Sequence, residues 1–149
     1  PILKDANLCN EIIDAFVDQT KSLPIDVIVG IESRGFLFGM MLANRLNIPF
    51  VPIRKQGKLP ADTIAESYKL EYGQATIEIH EDAFPAGTNV LIHDDLLATG
   101  GTVVAAAKLV EKIGGNVAGF SFVINLEFLK GEGRLHRFSE NVISLVKYS

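Results

Sequence analysis

The chain has 149 residues, 48% of them hydrophobic and 21% charged, and a net charge of −4. That is enough for one domain burying roughly 70% of its unfolded surface, and the acidic balance argues against nucleic acid or an anionic membrane as a partner. The single cysteine, Cys9, excludes an internal disulfide framework and fits a reducing, cytoplasmic compartment, while no apolar run approaches membrane-spanning length.

In chain order, residues 7–22 place Leu8, Ile12, Ile13 and Phe16 on one face of a helix that Pro24 ends. Cys9 falls within that pattern and is expected to be a half-buried structural thiol. Residues 25–29 predict a buried strand running into a turn at Glu32-Ser33-Arg34, followed by an apolar helix through Phe36, Leu37, Met40, Met41 and Leu46. Residues 48–53 predict a strand, and Pro49 and Pro52 suggest an edge or irregular one.

Residues 56–66 lack periodicity and read as an exposed loop, after which 68–72 and 75–80 alternate across Gly73-Gln74 as a hairpin would. A basic entry followed by a hairpin favours a mobile lid over about 55–79. A strand at 89–93 then runs into Asp94-Asp95, a turn Leu96-Leu97-Ala98-Thr99-Gly100-Gly101-Thr102, and a helix from Val103. That helix turns Val104, Ala107, Val110 and Ile113 inward and stops at Gly114-Gly115. Residues 117–124 form another strand, 126–138 are mixed and loop-like, and 142–146 close the chain as a strand. Alternating strands and helices predict right-handed βαβ units, a mostly parallel sheet covered on both faces, and ligands at the carboxyl ends of the strands. One domain over 1–149 is expected.

The block from Asp94 to Thr102 carries the chemistry. The first N–H groups of a helix have no intrahelical partner and point outward at the positive end of its dipole, so an anion there collects several hydrogen bonds. Gly100 and Gly101 let a phosphate approach without meeting a Cβ, and Thr99 and Thr102 add hydroxyls. A phosphate alone would be repelled by two aspartates. A phosphorylated sugar resolves the conflict, with its hydroxyls donating to Asp94 and Asp95 while the turn holds its phosphate. The bland reading is an acidic strand end before an ordinary αβ turn, and the whole block weighs against it.

Asp94-Asp95-Leu96-Leu97-Ala98-Thr99-Gly100-Gly101-Thr102 resembles the phosphoribosyl-diphosphate (PRPP) motif of the type I phosphoribosyltransferase family, in the form of its adenine-specific branch. Three further segments resemble that branch in the right order. Gly30–Gly39 is similar to the pyrophosphate loop and its helix, Val51–Pro60 to the entry of the catalytic loop, and Ser67–Gly73 to the adenine signature. Pro1–Asp5 resembles the sequence just after the family's N-terminal hood, so the chain is expected to begin downstream of its native start and of that hood.

The resemblance implies a type I α/β fold, a homodimer, and transfer of the 5-phosphoribosyl group from PRPP to adenine, giving AMP and pyrophosphate. It implies Mg²⁺ carried by PRPP rather than by a dedicated set of protein ligands. It implies Arg34 and Ser33 at pyrophosphate, with a cis peptide at Glu32–Ser33, and Arg54, Lys55 and Lys58 reaching it as the lid closes. Arg34 suits bidentate phosphate binding, and a cation gains nothing from a helix start otherwise. Asp94 and Asp95 would hold the ribose and favour its developing positive charge. If strand geometry persisted they would face opposite sides, although a strand end relaxes that rule. Ala98, Thr99, Gly100, Gly101 and Thr102 would bind the sugar phosphate, Glu71 would handle a proton on the base, and Tyr72 would cover the site. His80, His93 and His136 have no metal-like spacing, and His93 is expected to be structural. Two alternatives stay open: transfer to another purine, or a non-catalytic PRPP-sensing module. A P-loop or Rossmann nucleotide site is not favoured, because neither glycine motif occurs.

Overall fold

The computed structural model describes residues 2–60 and 62–149. Pro1, which opens the Pro1–Asp5 segment, and Ala61, inside the expected lid, lie outside the described residues. Asp5 caps the first helix, α1 (Ala6–Thr20), its carboxylate accepting from the Leu8 N–H at 3.1 Å. The buried face of α1 runs through Cys9, Ile13, Phe16 and Thr20, slightly rotated from the expected stripe, so Leu8 and Ile12 are only half-buried. Strand β1 (Val27–Ile31) is buried along its whole length, as a central parallel strand covered on both faces must be.

Helix α2 (Gly35–Leu46) ends where Asn47 turns left-handed, with φ of 58°, and its N–H bonds the Ala43 and Asn44 carbonyls. It buries Phe38, Gly39, Leu42 and Ala43, whereas Leu37 and Met40, two of the apolar residues that marked the helix, are exposed. The strands that follow are β2 (Phe50–Lys55), β3 (Thr63–Leu70), β4 (Gly73–His80) and β5 (Asn89–Leu97). Helix α3 (Gly101–Lys112), β6 (Asn116–Leu126) and β7 (Val142–Tyr148) complete the regular elements, with short 3-10 turns at Glu127–Leu129 and Glu132–Arg134.

Seven strands form one sheet in the order β3-β4-β2-β1-β5-β6-β7. The five from β2 to β7 in that order pair in parallel, and the β3–β4 hairpin joins antiparallel at one side. Helices α1 and α2 cover one face around Ile28, Leu91 and Val123, while α3 covers the other around Val29, Ile53, Ile92 and Phe122.

Pro49 falls just before β2, and β2, which contains Pro52, is interior, flanked by β1 and β4, and not an edge. The backbone shows why proline is tolerated there. Pro49 and Ile53 turn their carbonyls toward β1, accepting from Ile28 and Glu32, so Pro52 turns its backbone the other way. Pairing with β4 begins only at Arg54, and the missing N–H of Pro52 costs no ladder bond.

The hairpin also differs from expectation. Its first strand starts at Thr63, inside the expected loop, because Ile64 and Tyr68 pack against the α3 side of the core. Between them Glu66 faces Lys112, with which it pairs closely, and Lys108 at 3.9 Å. A charged residue at an inward position breaks the apolar alternation, so the strand carried no hydrophobic signal. Leu70 pairs with Gly73, which puts the tight turn at Glu71-Tyr72, and Gly73 opens β4 with φ of 102°.

Candidate active site

Strand β5 continues to Leu97 because β6 stays beside it as far as the Leu97–Asn125 pair. Both aspartates therefore lie within a strand, and α3 begins at Gly101, two residues earlier than expected. Asp94 borders a small recess of about 80 Å³ formed with Leu96 and the loop Ala98 to Val103. Asp95 borders an apolar cavity of about 470 Å³ lined by Ile2, Leu3, Arg34, Leu37 and Phe38. The two carboxylates meet again at a third cavity, of about 320 Å³, lined by Glu32, Ser33, Arg34, Lys55 and Leu96. Adjacent residues of one strand thus serve different recesses and share one.

This shared cavity lies at the carboxyl ends of β1 and β5, where ligands of open parallel sheets gather. The peptide bond between Glu32 and Ser33 is cis. Gly35, at the start of α2, lies so close to β5 that a Cβ there would come within 3.0 Å of the His93 carbonyl and 3.2 Å of an Asp94 carboxylate oxygen. Arg34 is largely exposed, and its guanidinium is 4.0 Å from the Asp95 carboxylate. An exposed guanidinium thus stands over half-buried carboxylates.

Burial pushes the Asp94 carboxyl up to about 7 from its ordinary 3.8. The Asp95 N–H, donating to Asp94 Oδ1 at 2.8 Å, opposes that rise, and the Asp95 charge adds to it. Glu32 moves the other way: the Lys55 N–H at 2.9 Å and the Arg54 guanidinium at 3.3 Å hold its carboxyl below the usual range. Arg54 is consequently tied to Glu32 and lies over the Phe36 ring at 5.9 Å, while Lys55 reaches the cavity.

At the loop, α3 makes its first backbone bond from Val104 N–H to the Gly100 carbonyl, leaving the N–H groups of Gly101, Thr102 and Val103 at the open helix end. Gly100 adopts φ of 90°, in the left-handed region. Ser33, Arg34, Lys55, Asp94, Asp95, Ala98, Thr99, Gly100, Gly101 and Thr102 are brought together around two adjoining recesses. Glu71 and Tyr72 are not among them. They form the exposed tip of the hairpin, where Tyr72 is 89% exposed. Lys58, in the exposed segment after β2, borders none of these cavities either.

His93 is structural, as expected. It is fully buried, Nδ1 is 2.8 Å from Ser121 Oγ, and its ring meets Phe16 edge-on at 5.3 Å. Desolvation lowers its pKa to about 4, so it stays neutral. Two contributions were missed in the sequence. Glu32 organises the cationic strand end, and Arg134 donates to the Thr99 carbonyl at 3.0 Å. The Glu32-Ser33-Arg34 turn was a signal for the first, whereas nothing in the loop-like 126–138 stretch marked the second.

Among the described residues no helix is long and apolar enough to cross a membrane. The Phosphoribosyl transferase domain family matches residues 2–139. The adenine phosphoribosyltransferase of Gloeobacter violaceus is 56% identical over 136 residues, which is 91% of this chain and 79% of that protein. The crystal structure of adenine phosphoribosyltransferase from Thermoanaerobacter pseudethanolicus superposes with a TM-score of 0.95 at 49% identity, covering 99% of this chain and 85% of that one. The Saccharomyces cerevisiae adenine phosphoribosyltransferase, crystallised with an imino-altritol bisphosphate and adenine, gives a TM-score of 0.90 at 45% identity, covering 97% and 83%. With a family model over most of the chain and adenine phosphoribosyltransferases among its similar sequences and structures, the chain belongs to the phosphoribosyl transferase domain family, in its adenine phosphoribosyltransferase branch.

Proposed function

We propose that the chain transfers the 5-phosphoribosyl group of PRPP to adenine, forming AMP and pyrophosphate. The observation that carries this reading is the shared cavity, which sets the Asp94–Asp95 pair between Arg34 and Lys55 on one side and the open end of α3 on the other. One molecule with a pyrophosphate, vicinal hydroxyls and a second phosphate satisfies all three groups.

In this reading the N–H groups at Gly101 and Thr102 and the hydroxyls of Thr99 and Thr102 bind the 5-phosphate. Asp94 and Asp95 accept from the ribose hydroxyls and favour the positive charge that develops on the ring as the bond to pyrophosphate breaks. Adjacent residues do not straddle an anomeric carbon, so a paired glycosidase mechanism does not apply. Ser33, Arg34 and Lys55 receive the pyrophosphate, and Arg54 and Lys58 join if the hairpin rearranges. Glu71 handles the proton at the adenine ring and Tyr72 covers the site. Both need the hairpin, the lid over about 55–79 in a single domain, to swing in from the position it occupies here.

Mg²⁺ would enter on the pyrophosphate and ribose oxygens of PRPP, with Asp94 and Asp95 beside it as acceptors for the sugar hydroxyls and its waters rather than as a set of protein ligands. When bound, the ion neutralises pyrophosphate charge. We place the enzyme in the cytoplasm as a homodimer. The large apolar side chains exposed at Ile2, Leu3, Leu37 and Met40 support pairing of subunits.

The test is a base competition, in which the protein receives PRPP, Mg²⁺ and equal adenine, hypoxanthine and guanine, and the nucleotides formed are quantified. AMP as the dominant product is expected. Another nucleotide in excess refutes the choice of base, and PRPP binding with no product identifies a sensing module instead.

A further inference from the structure

The loop that receives the sugar phosphate supplies no cation of its own. Ala98 to Thr102 is uncharged, and the Asp94 carboxylate stands beside it. The nearest guanidinium arrives from a distant part of the chain, through the turns that follow β6. Gly131 presses its backbone on the loop so closely that a Cβ there would lie 2.4 Å from the Ala98 carbonyl and 3.1 Å from the Thr99 carbonyl carbon. A Cβ on Gly100 would in turn meet the Gly131 carbonyl at 3.1 Å. Two anchors hold this segment: Leu135 is fully buried, and Glu132 accepts from Asn125 Nδ2 at 3.1 Å.

Between those anchors Arg134 donates from Nη1 to the Thr99 carbonyl at 3.0 Å, and the same nitrogen lies 3.9 Å from where a Gly101 Cβ would be. A trans peptide plane carries its C=O and N–H in opposite directions. Fixing the Thr99 carbonyl toward Arg134 therefore turns the Gly100 N–H away from it. Gly100 lacks a Cβ and sits at positive φ, so its own side chain contributes nothing to holding that plane.

We infer that Arg134 is a positioning residue for the sugar phosphate. By holding the Thr99 carbonyl it orients the Gly100 N–H alongside the free N–H groups of α3, and its charge offsets the neighbouring Asp94 carboxylate. The guanidinium has donors beyond the one used on Thr99, and these face a recess of about 370 Å³ shared with Ser67, Tyr68 and Lys69 of the hairpin. The inference rests on the PRPP reading, because only a ligand with a phosphate at this loop makes the orientation matter.

The experiment titrates ribose 5-phosphate and pyrophosphate separately, by calorimetry with Mg²⁺, into the native chain, R134M and R134K. Loss of a charge-assisted bond predicts ribose 5-phosphate binding weakened about tenfold or more in R134M, while pyrophosphate binding stays within about twofold. R134K, which retains one cationic donor, should recover part of the loss. Arg134 is exposed, so R134M is expected to fold. Should it not, R134K alone still gives a selective loss of ribose 5-phosphate if the inference holds. Unchanged ribose 5-phosphate affinity in R134M overturns the inference, and so does an equal loss of both ligands, which marks a general structural role. A native chain that binds neither ligand overturns the PRPP reading itself, and the inference with it.

Discussion

Replacing Asp94 by Asn should stabilise the fold, and by an amount that depends on pH. In the native chain the Asp94 carboxyl is pushed up to about 7 from 3.8, first by burial and then by the Asp95 charge, against the Asp95 N–H. Between those values the folded protein holds a proton that the unfolded chain has released, so this group costs stability as pH rises, and the full cost applies above pH 7. A displacement of about 3 pH units at ~1.36 kcal/mol each sets an upper limit of about 4 kcal/mol. Asn keeps an oxygen for the Asp95 N–H and cannot ionise, so the advantage of D94N should grow by up to ~1.4 kcal/mol per pH unit from about pH 4 to 7 and then level off.

His93 works in the opposite sense. Its pKa is lowered to about 4, so its contribution is present above the ordinary 6.5 and lost as pH falls through that window. In the native chain the two slopes offset one another, and D94N should expose the His93 slope as a loss of stability on acidification. Urea unfolding of both proteins at steps between about pH 5 and 8 measures the difference. A stability difference that does not vary with pH would falsify the burial argument. The same variant should lose PRPP-dependent turnover, because the ionised carboxylate that burdens the fold is the group proposed to hold the ribose.

Gly131→Ala drives a Cβ to within 2.4 Å of the Ala98 carbonyl, a backbone atom that cannot step aside cheaply. It should cost about 1–3 kcal/mol in urea unfolding and weaken ribose 5-phosphate binding, and a variant as stable as the native chain would show that the two loops are not tightly packed. A Cβ at Gly101 would meet only ordinary contacts, 3.5 Å from Tyr68 Cδ2 and 3.9 Å from Arg134 Nη1, at the start of α3. Gly101→Val is expected to fold with a loss within about 1 kcal/mol yet bind PRPP at least about tenfold more weakly, and native PRPP affinity would remove the turn from the site. Glu71→Gln, at the exposed hairpin tip, should leave stability within about 0.5 kcal/mol. Its single-turnover rate should fall by about 10²-fold or more with PRPP affinity retained, and an unaltered chemical step would end the assignment of Glu71.

Local rules determined much of this protein from sequence alone. The strand and helix periods, the Pro and Gly stops, and the join of Asp94-Asp95 to Thr99-Gly100-Gly101-Thr102 are set by neighbours in the chain. They yielded the mostly parallel sheet, the glycine loop at the start of α3 and a cavity at the strand ends. Tertiary structure decided what depends on partners far apart in sequence. Pro52 sits in an interior strand because β4 starts pairing only beyond it, and β3 begins early because Ile64 and Tyr68 pack on the α3 side of the core while Lys112 meets the inward Glu66 between them. Arg134 reaches the Thr99 carbonyl from 35 residues away. The buried environment of Asp94 likewise exists only when α2 and the loop close around β5. Hydrophobic periodicity records which face of an element is buried. It does not record a charge or a carbonyl that finds its partner only after the chain has folded.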